Sequence, residues 1–428
     1  MGGLLAQSTP QRRPRRAIVL SGGGARGAYE AGVLRFILDD LPEQIGKAPR
    51  FDILCGTSVG AIHACFLAAT ADQTEGRGPR LVQIWKDLEI DKVFKFGTRD
   101  FISLPRKLLG VRQVAQQLRE GRRPDRLFGL LDTGPLEKLV MESIPWEGIH
   151  RNVQSGQIEA VCVAATQLAT GRAVVFSETN RNDLPKAPAD QHLRLQPIRL
   201  APVHALASAA IPLLFPAVRV GSRYYADGGL RLNTPLAPAI RLGANRVLVI
   251  GLSHGIPPTV SESLAQQRTA GFGNPMFLLG KVLNALMLSP IDADLARVHY
   301  INHLIEYGRE AYGDAFVHQI NEVAVAQGGR PVQTIEDMVI RPSQDLGLLA
   351  GRLINERRDE LELNAFMKLF LRASRTGEEL KEADLLSYLL FDNAFTAELV
   401  ELGYRDAQAQ SERLIRFFDD DATLLADE

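Results

Sequence analysis

Short apolar runs that stop at glycine or at turn residues recur through the first half of the chain, with amphipathic stretches between them. Ala17-Ile18-Val19-Leu20 ends on a glycine run, and residues 51–55 form a second such run. Runs that are apolar at every position read as strands buried on both faces. Residues 159–166 and 173–176 form two more, separated by the turn signal Thr170-Gly171-Arg172. Residues 218–220 and 224–225 flank Gly221-Ser222 as a tight hairpin. Residues 246–250 give a further apolar strand. Helical patterns at 28–38 and 59–69 each follow a strand directly. Pro135, behind Thr133-Gly134, opens another helix, and 235–242 leads into the strand at Arg246. The alternation predicts an α/β fold, a sheet covered by helices on both faces in three layers.

Beyond His254 the strand signal fades. Residues 275–307 and 353–418 are helical in pattern, with Leu385, Leu386, Leu389 and Leu390 at core spacing. The expected organisation is therefore a basic, disordered tail over 1–16, a catalytic α/β domain over 17–256, and a mainly helical C-terminal region over 257–428. Within the domain, residues 96–126 read as a basic amphipathic insertion. Arg106, Lys107, Arg112, Arg119, Arg122, Arg123 and Arg126 there interleave with leucine and valine, as on a solvated helix or on a surface that leans on anionic lipid. The acidic end of the chain reads as a solvated tail.

With 46% hydrophobic and 23% charged residues the chain is an ordinary globular one, and a formal net charge of −1 gives no overall pull toward nucleic acid. No apolar run reaches the ~18 residues of a membrane span. The best, 276–288, is broken by Gly280, Lys281 and Asn284. The basic residues of the tail follow its apolar stretch, the wrong order for a signal peptide. Cys55, Cys65 and Cys162 sit in apolar surroundings and read as buried free thiols, which suits a reducing cytoplasm. A peripheral membrane contact is compatible with all of this. Oligomeric state is set by no pattern in the chain.

Gly56-Thr57-Ser58-Val59-Gly60 follows a strand and precedes an apolar helix, the setting of a nucleophile elbow. It lifts the serine above the sheet edge at a helix N-terminus, where developing negative charge is favoured. Short Gly/Ser turns are common, so the pentapeptide alone is weak. Gly22-Gly23-Gly24-Ala25-Arg26-Gly27, behind the first strand, exposes successive backbone N–H groups that suit an oxyanion or a phosphate. A dinucleotide loop is the rival, since Gly22, Gly24 and Gly27 match its spacing. However, Asp39-Asp40, the nearest acidic pair, ends a helix and not a strand. No Walker lysine follows Gly27. For a base, His254, His299, His303 and His318 follow in the chain without any motif, and His63 should point elsewhere around its helix. Asp227-Gly228-Gly229, at the end of the hairpin strand, offers an accessible carboxylate, although a turn-capping aspartate is the bland reading.

Taken in order, the glycine run at 22–27, the elbow at 56–60 and Asp227-Gly228-Gly229 resemble the patatin-like phospholipase family. Ala207-Ser208-Ala209-Ala210-Ile211-Pro212, Phe215-Pro216 and Asp132-Thr133-Gly134-Pro135-Leu136 also look like family segments. The likeness runs roughly from Ala17 to Ser253. It implies a patatin-like sheet and a serine acyl-ester hydrolase acting on lipid or phospholipid, with Ser58 as nucleophile, Asp227 as base and no histidine. It further implies an oxyanion hole at Gly22, Gly23, Gly24, Ala25, Arg26 and Gly27, the N–H groups of Gly23, Gly24 and Ala25 foremost. Gly56, Thr57, Val59, Gly60, Gly228 and Gly229 would support the dyad. Arg26 would either meet a lipid phosphate or fix the loop. No cofactor and no metal are expected. An acyltransferase on the same dyad and a non-catalytic membrane-binding relative are the alternatives, and the 276–288 helix is either a lid over the acyl site or plain packing.

Overall fold

The computed structural model describes residues 13–95, 124–127, 129–181, 193–255, 291–357, 367–368, 371 and 384–421. The first twelve residues, the basic insertion up to 123 and the apolar stretch at 276–288 lie outside the described residues. Among the described helices none is long and apolar enough to cross a membrane.

Among the described residues nine strands form one sheet. β1 (Arg16–Leu20) lies at its centre between β2 (Ile53–Thr57) and β8 (Arg246–Ile250), parallel to both. β3 (Ala160–Gln167) extends the parallel block beyond β2, and β9 (Glu336–Ile340) extends it beyond β8. β4 (Arg172–Thr179) turns back antiparallel to β3 and carries β5 (Leu193–Pro197) at the edge. β6 (Val218–Val220) and β7 (Arg223–Asp227) make a hairpin whose second strand pairs with the last residues of β3.

The apolar runs are continuous because both faces are covered. On β1, Ile18 and Leu20 join the larger core with Leu34, Phe36 and Phe66. Ala17 and Val19 join the core on the other face with Leu242, Leu295 and Val298. This is the alternation of a strand expressed in two cores instead of one core and solvent. The three cysteines are free and buried, as their neighbours predict.

Two strands carry no apolar run and are absent from the sequence reading. β5 reads Leu-Arg-Leu-Gln-Pro and is largely half-exposed at the sheet edge, so it needs no continuous hydrophobicity. β9 begins Glu-Asp, and those carboxylates are used in the sheet: Glu336 accepts from Arg246 Nε at 2.7 Å, and Asp337 meets His299 at 2.8 Å. The helix expected over 28–38 is Gly27–Arg35, continued by a wider π-type turn Phe36–Asp40.

Residues beyond 256 contribute to the same core. Leu386, Phe395 and Phe417 are buried with Ile18 and Leu20. The helix Asn393–Ala409 crosses Gly27–Arg35 at a reciprocal glycine contact. A Cβ on Gly32 would stand 2.0 Å from the Val400 carbonyl oxygen, and one on Gly403 would stand 2.1 Å from that of Tyr29. Arg16 Nε and Arg246 Nη1 both donate to the Phe417 carbonyl, placing cations at the C-terminal end of the helix Ser411–Phe418.

Candidate active site

The C-terminal ends of β1 and β2, and the end of β7, converge at one edge of the sheet, the usual position for a site in an open α/β sheet. There the structure brings together the three sequence motifs. Ser58, between β2 and the helix Val59–Ala69, has φ 55° and ψ −123°. A residue with a side chain holds such a conformation only where its surroundings over-determine it. They do so here. The Ser58 N–H donates to Ser208 Oγ at 2.8 Å, and Ser208 Oγ donates in turn to the Ala164 carbonyl at 2.5 Å. Thr57 Oγ1 donates to the Leu232 carbonyl at 2.7 Å, while the Ser58 carbonyl accepts from the Ala61 and Ile62 N–H groups and starts the helix. Ser58 is only 2% exposed.

Asp227 is fully buried. Its N–H donates to the Ala210 carbonyl at 2.8 Å, and its carbonyl accepts from Thr166 Oγ1 at 2.9 Å. Its Oδ1 accepts from the Gly229 N–H at 2.7 Å, and its Oδ2 makes no hydrogen bond of ordinary length. Burial pushes this carboxyl up to about 7, opposed by the Gly229 N–H and by the neighbouring Ser58 hydroxyl. The site is dry enough to hold a carboxylate at the proton affinity of a useful base.

In the glycine loop, Gly22 N–H donates to the Asn233 carbonyl at 3.1 Å. Gly24, with φ 56°, turns the chain into the helix Gly27–Arg35. The N–H groups of Gly23, Gly24 and Ala25 donate to no acceptor among the described residues. A Cβ on Gly24 would stand 2.3 Å from the Tyr388 carbonyl oxygen, so the helix Asp384–Leu389 rests directly on the loop. Arg26 is buried beneath it. Its Nε donates to Ser387 Oγ at 2.7 Å, and its guanidinium lies 4.2 Å from the centroid of the Tyr388 ring. Of its two readings, fixing the loop is the one these contacts serve.

The rival residues are used elsewhere. His63 Nδ1 meets Glu30 Oε2 at 2.8 Å, and its Nε2 accepts from Trp85 Nε1 at 3.0 Å. His254 meets the Pro342 carbonyl, His299 meets Asp337, His303 stacks on Tyr307 and His318 pairs with Glu322. Asp40 accepts from the Tyr404 hydroxyl, and Asp39 lies against Gly78, so neither stands at a strand end as a dinucleotide site requires.

Beside Ser58 opens an apolar pocket that is partly continuous with solvent. Ile62, Phe66, Leu81, Trp85, Leu139 and Phe391 are among the residues that line it. Three contributors are given no role by the sequence, although Ser208 lies in the family-like segment 207–212. Ser208 holds the elbow, Asn233 holds the glycine loop, and the 384–391 segment covers the site. Ser-Ala-Ala and Asn-Thr-Pro give no chemical signal by themselves, and only the return of the chain assigns them these places.

Comparison with known proteins adds the following. A family model described as patatin-like phospholipase matches residues 18–240. A cGAMP-activated phospholipase of Pseudomonas aeruginosa is 31% identical over 224 residues, which cover 51% of this chain and 53% of that relative. The match thus spans about half the length of the relative. Human GIVD cytosolic phospholipase A2 in complex with methyl gamma-linolenyl fluorophosphonate aligns with a TM-score of 0.39 at 14% identity, over 97% of this chain and 60% of that one. VipD from Legionella pneumophila aligns with a TM-score of 0.33 at 13% identity, over 95% and 68%. Overlaps this loose do not bear on the site.

Proposed function

Because the chain belongs to the patatin-like phospholipase family, whose model covers more than half of its length, we propose that it is a serine hydrolase that cleaves acyl-ester bonds in lipids. The observation that carries this reading is the pairing of Ser58, held in a strained elbow, with a buried Asp227 carboxyl raised to about 7. Ser58 Oγ attacks the ester carbonyl while Asp227 takes its proton; the bond from the acyl carbon to the alcohol oxygen then breaks, that oxygen takes the proton from Asp227, and the alcohol leaves an acyl-enzyme behind. The N–H groups of Gly23, Gly24 and Ala25 receive the tetrahedral oxyanion. Donors of this kind are worth about 3 kcal/mol each in the transition state. The acyl chain lies in the apolar pocket beside Ser58, and water then releases the fatty acid.

The test is labelling by a fluorophosphonate probe alongside hydrolysis of a medium-chain acyl ester, for wild type, Ser58→Ala and Asp227→Ala. Wild type should label and hydrolyse, Ser58→Ala should do neither, and Asp227→Ala should be crippled in both. Labelling that survives the loss of Ser58 overturns the assignment of the nucleophile. A folded wild type inert toward probe and ester, with or without phospholipid vesicles, would favour the non-catalytic relative. Adding glycerol to the assay separates transfer from hydrolysis.

A further inference from the structure

The polar half of the site contains an acceptor that the reaction above does not use. Asn233 follows the short helix Gly229–Leu232 and is 2% exposed. Its backbone carbonyl accepts from Gly22 N–H, and its Nδ2 donates to the Gly22 carbonyl at 3.2 Å. Its Oδ1 is buried and has no donor among the described residues. Reversing the carboxamide would set one carbonyl oxygen against another, so the Gly22 carbonyl fixes which atom is left over. That atom lies near the nucleophile. A Cβ built on Gly22 would stand 2.4 Å from Asn233 Oδ1 and 3.1 Å from Ser58 Cβ, so both border the space that the missing side chain leaves.

Buried acceptors without donors are rare in folded proteins and call for an explanation. Here there are two beside one serine, Asn233 Oδ1 and Asp227 Oδ2. Ser58 has one hydroxyl hydrogen and can serve only one of them. Once Ser58 is acylated it has none. A water molecule carries two hydrogens, whereas an alcohol carries one at its attacking oxygen.

We propose that Asn233 Oδ1 orients the deacylating water by accepting a hydrogen bond from one of its hydrogens while Asp227 Oδ2 receives the other as a proton, and so biases the acyl-enzyme toward hydrolysis over transfer. The water oxygen forms a bond to the acyl carbon as its proton passes to Asp227. The bond from that carbon to Ser58 Oγ then breaks, and Oγ takes the proton back from Asp227. The free fatty acid leaves and the dyad is restored. An alcohol donates its single hydrogen to Asp227 and gains nothing from Asn233. The inference rests on the Ser58–Asp227 reading and adds to it the acceptor preference of the second half-reaction.

The experiment uses Asn233→Leu in the full chain, an activated medium-chain ester, and glycerol as a competing acceptor. Fluorophosphonate labelling, which also reads any loosening of the loop that Asn233 holds, should fall far less than turnover, and the acylation burst should keep its amplitude. Steady-state hydrolysis should fall by about ten- to a hundredfold, as expected when a reacting group is left misplaced. The ratio of glyceryl ester to free acid should rise about tenfold. That ratio reports only on folded, acylated molecules. Asn233→Ala, which keeps the backbone bond from Gly22, is the second variant should leucine prevent folding. A residue that merely clamps the loop would slow labelling and turnover in parallel and leave the product ratio at its wild-type value, and that result overturns the proposal. If Ser58→Ala still labels, the dyad reading fails instead, so the two failures are distinct.

Discussion

Replacing Asp227 by asparagine should stabilise the fold while disabling the site, and the gain should depend on pH in a defined way. Folded Asp227 keeps its proton up to about pH 7, against 3.8 for the free side chain, because the carboxyl is fully buried. Between those values the unfolded chain has released a proton that the folded chain still holds. Stability therefore falls as pH rises through the interval, by about 1.4 kcal/mol per pH unit, and levels off above the folded value. The whole loss is about 4 kcal/mol, a large share of the stability of an ordinary domain. Asparagine has the same shape, can accept the Gly229 N–H through its oxygen, and carries no such loss. The measurement is urea unfolding of wild type and Asp227→Asn at about pH 4.5, 6 and 8. Subtracting one protein from the other cancels the remaining titrating groups. The variant should gain on wild type progressively from the lowest pH to the highest. A difference that stays flat, or one that favours wild type at the highest pH, would refute the argument that burial holds this carboxyl near neutrality.

The same carboxyl must be ionised to act as a base, so kcat/KM for an acyl ester should rise with pH and flatten above about 7. A profile whose only inflection lies near 4 would contradict this. Ser208→Ala leaves the buried Ser58 N–H without its acceptor and should cost about 1–3 kcal/mol in chemical denaturation. An unchanged midpoint would mean that the elbow is held otherwise. Gly24→Ala combines a positive φ with a methyl group driven against the Tyr388 carbonyl, and should slow fluorophosphonate labelling at least about tenfold. Labelling at the wild-type rate would show that the covering helix yields freely. Ile84→Trp narrows the apolar pocket beside Ser58. It should shift preference toward shorter acyl chains in a series of p-nitrophenyl esters, and an unchanged profile would place the acyl chain elsewhere.

Much of the site is legible in the sequence because its parts are local. A strand, a five-residue turn and a helix are enough to raise Ser58. A glycine run behind β1 is enough to free three N–H groups, and two glycines after a strand are enough to expose a carboxylate to a site. Patterning likewise gives β1, β2, β3, β4 and β8, since strands buried on both faces must be apolar throughout. β5 and β9 are not legible in the same way. The first is a half-exposed edge strand, and the second opens with carboxylates that are satisfied only by Arg246 and His299 from distant parts of the chain.

The sequence by itself determined the order of the elements that are apolar or amphipathic, the identity of the three motifs and the apolar character of both faces of the sheet's interior strands. Each of these depends on residues a few positions apart. The tertiary structure decided which distant groups meet them. Asp227 is a generic turn aspartate until β7 pairs with β3 and burial raises its proton affinity. Arg26 could meet a lipid phosphate or fix the loop until Ser387 and Tyr388 are laid over it. Asn233 has no signature until its carboxamide closes on Gly22 and leaves one oxygen beside Ser58. Desolvation and hydrogen-bond satisfaction are properties of the assembled environment, and the chain encodes them only through the fold that brings its remote segments together.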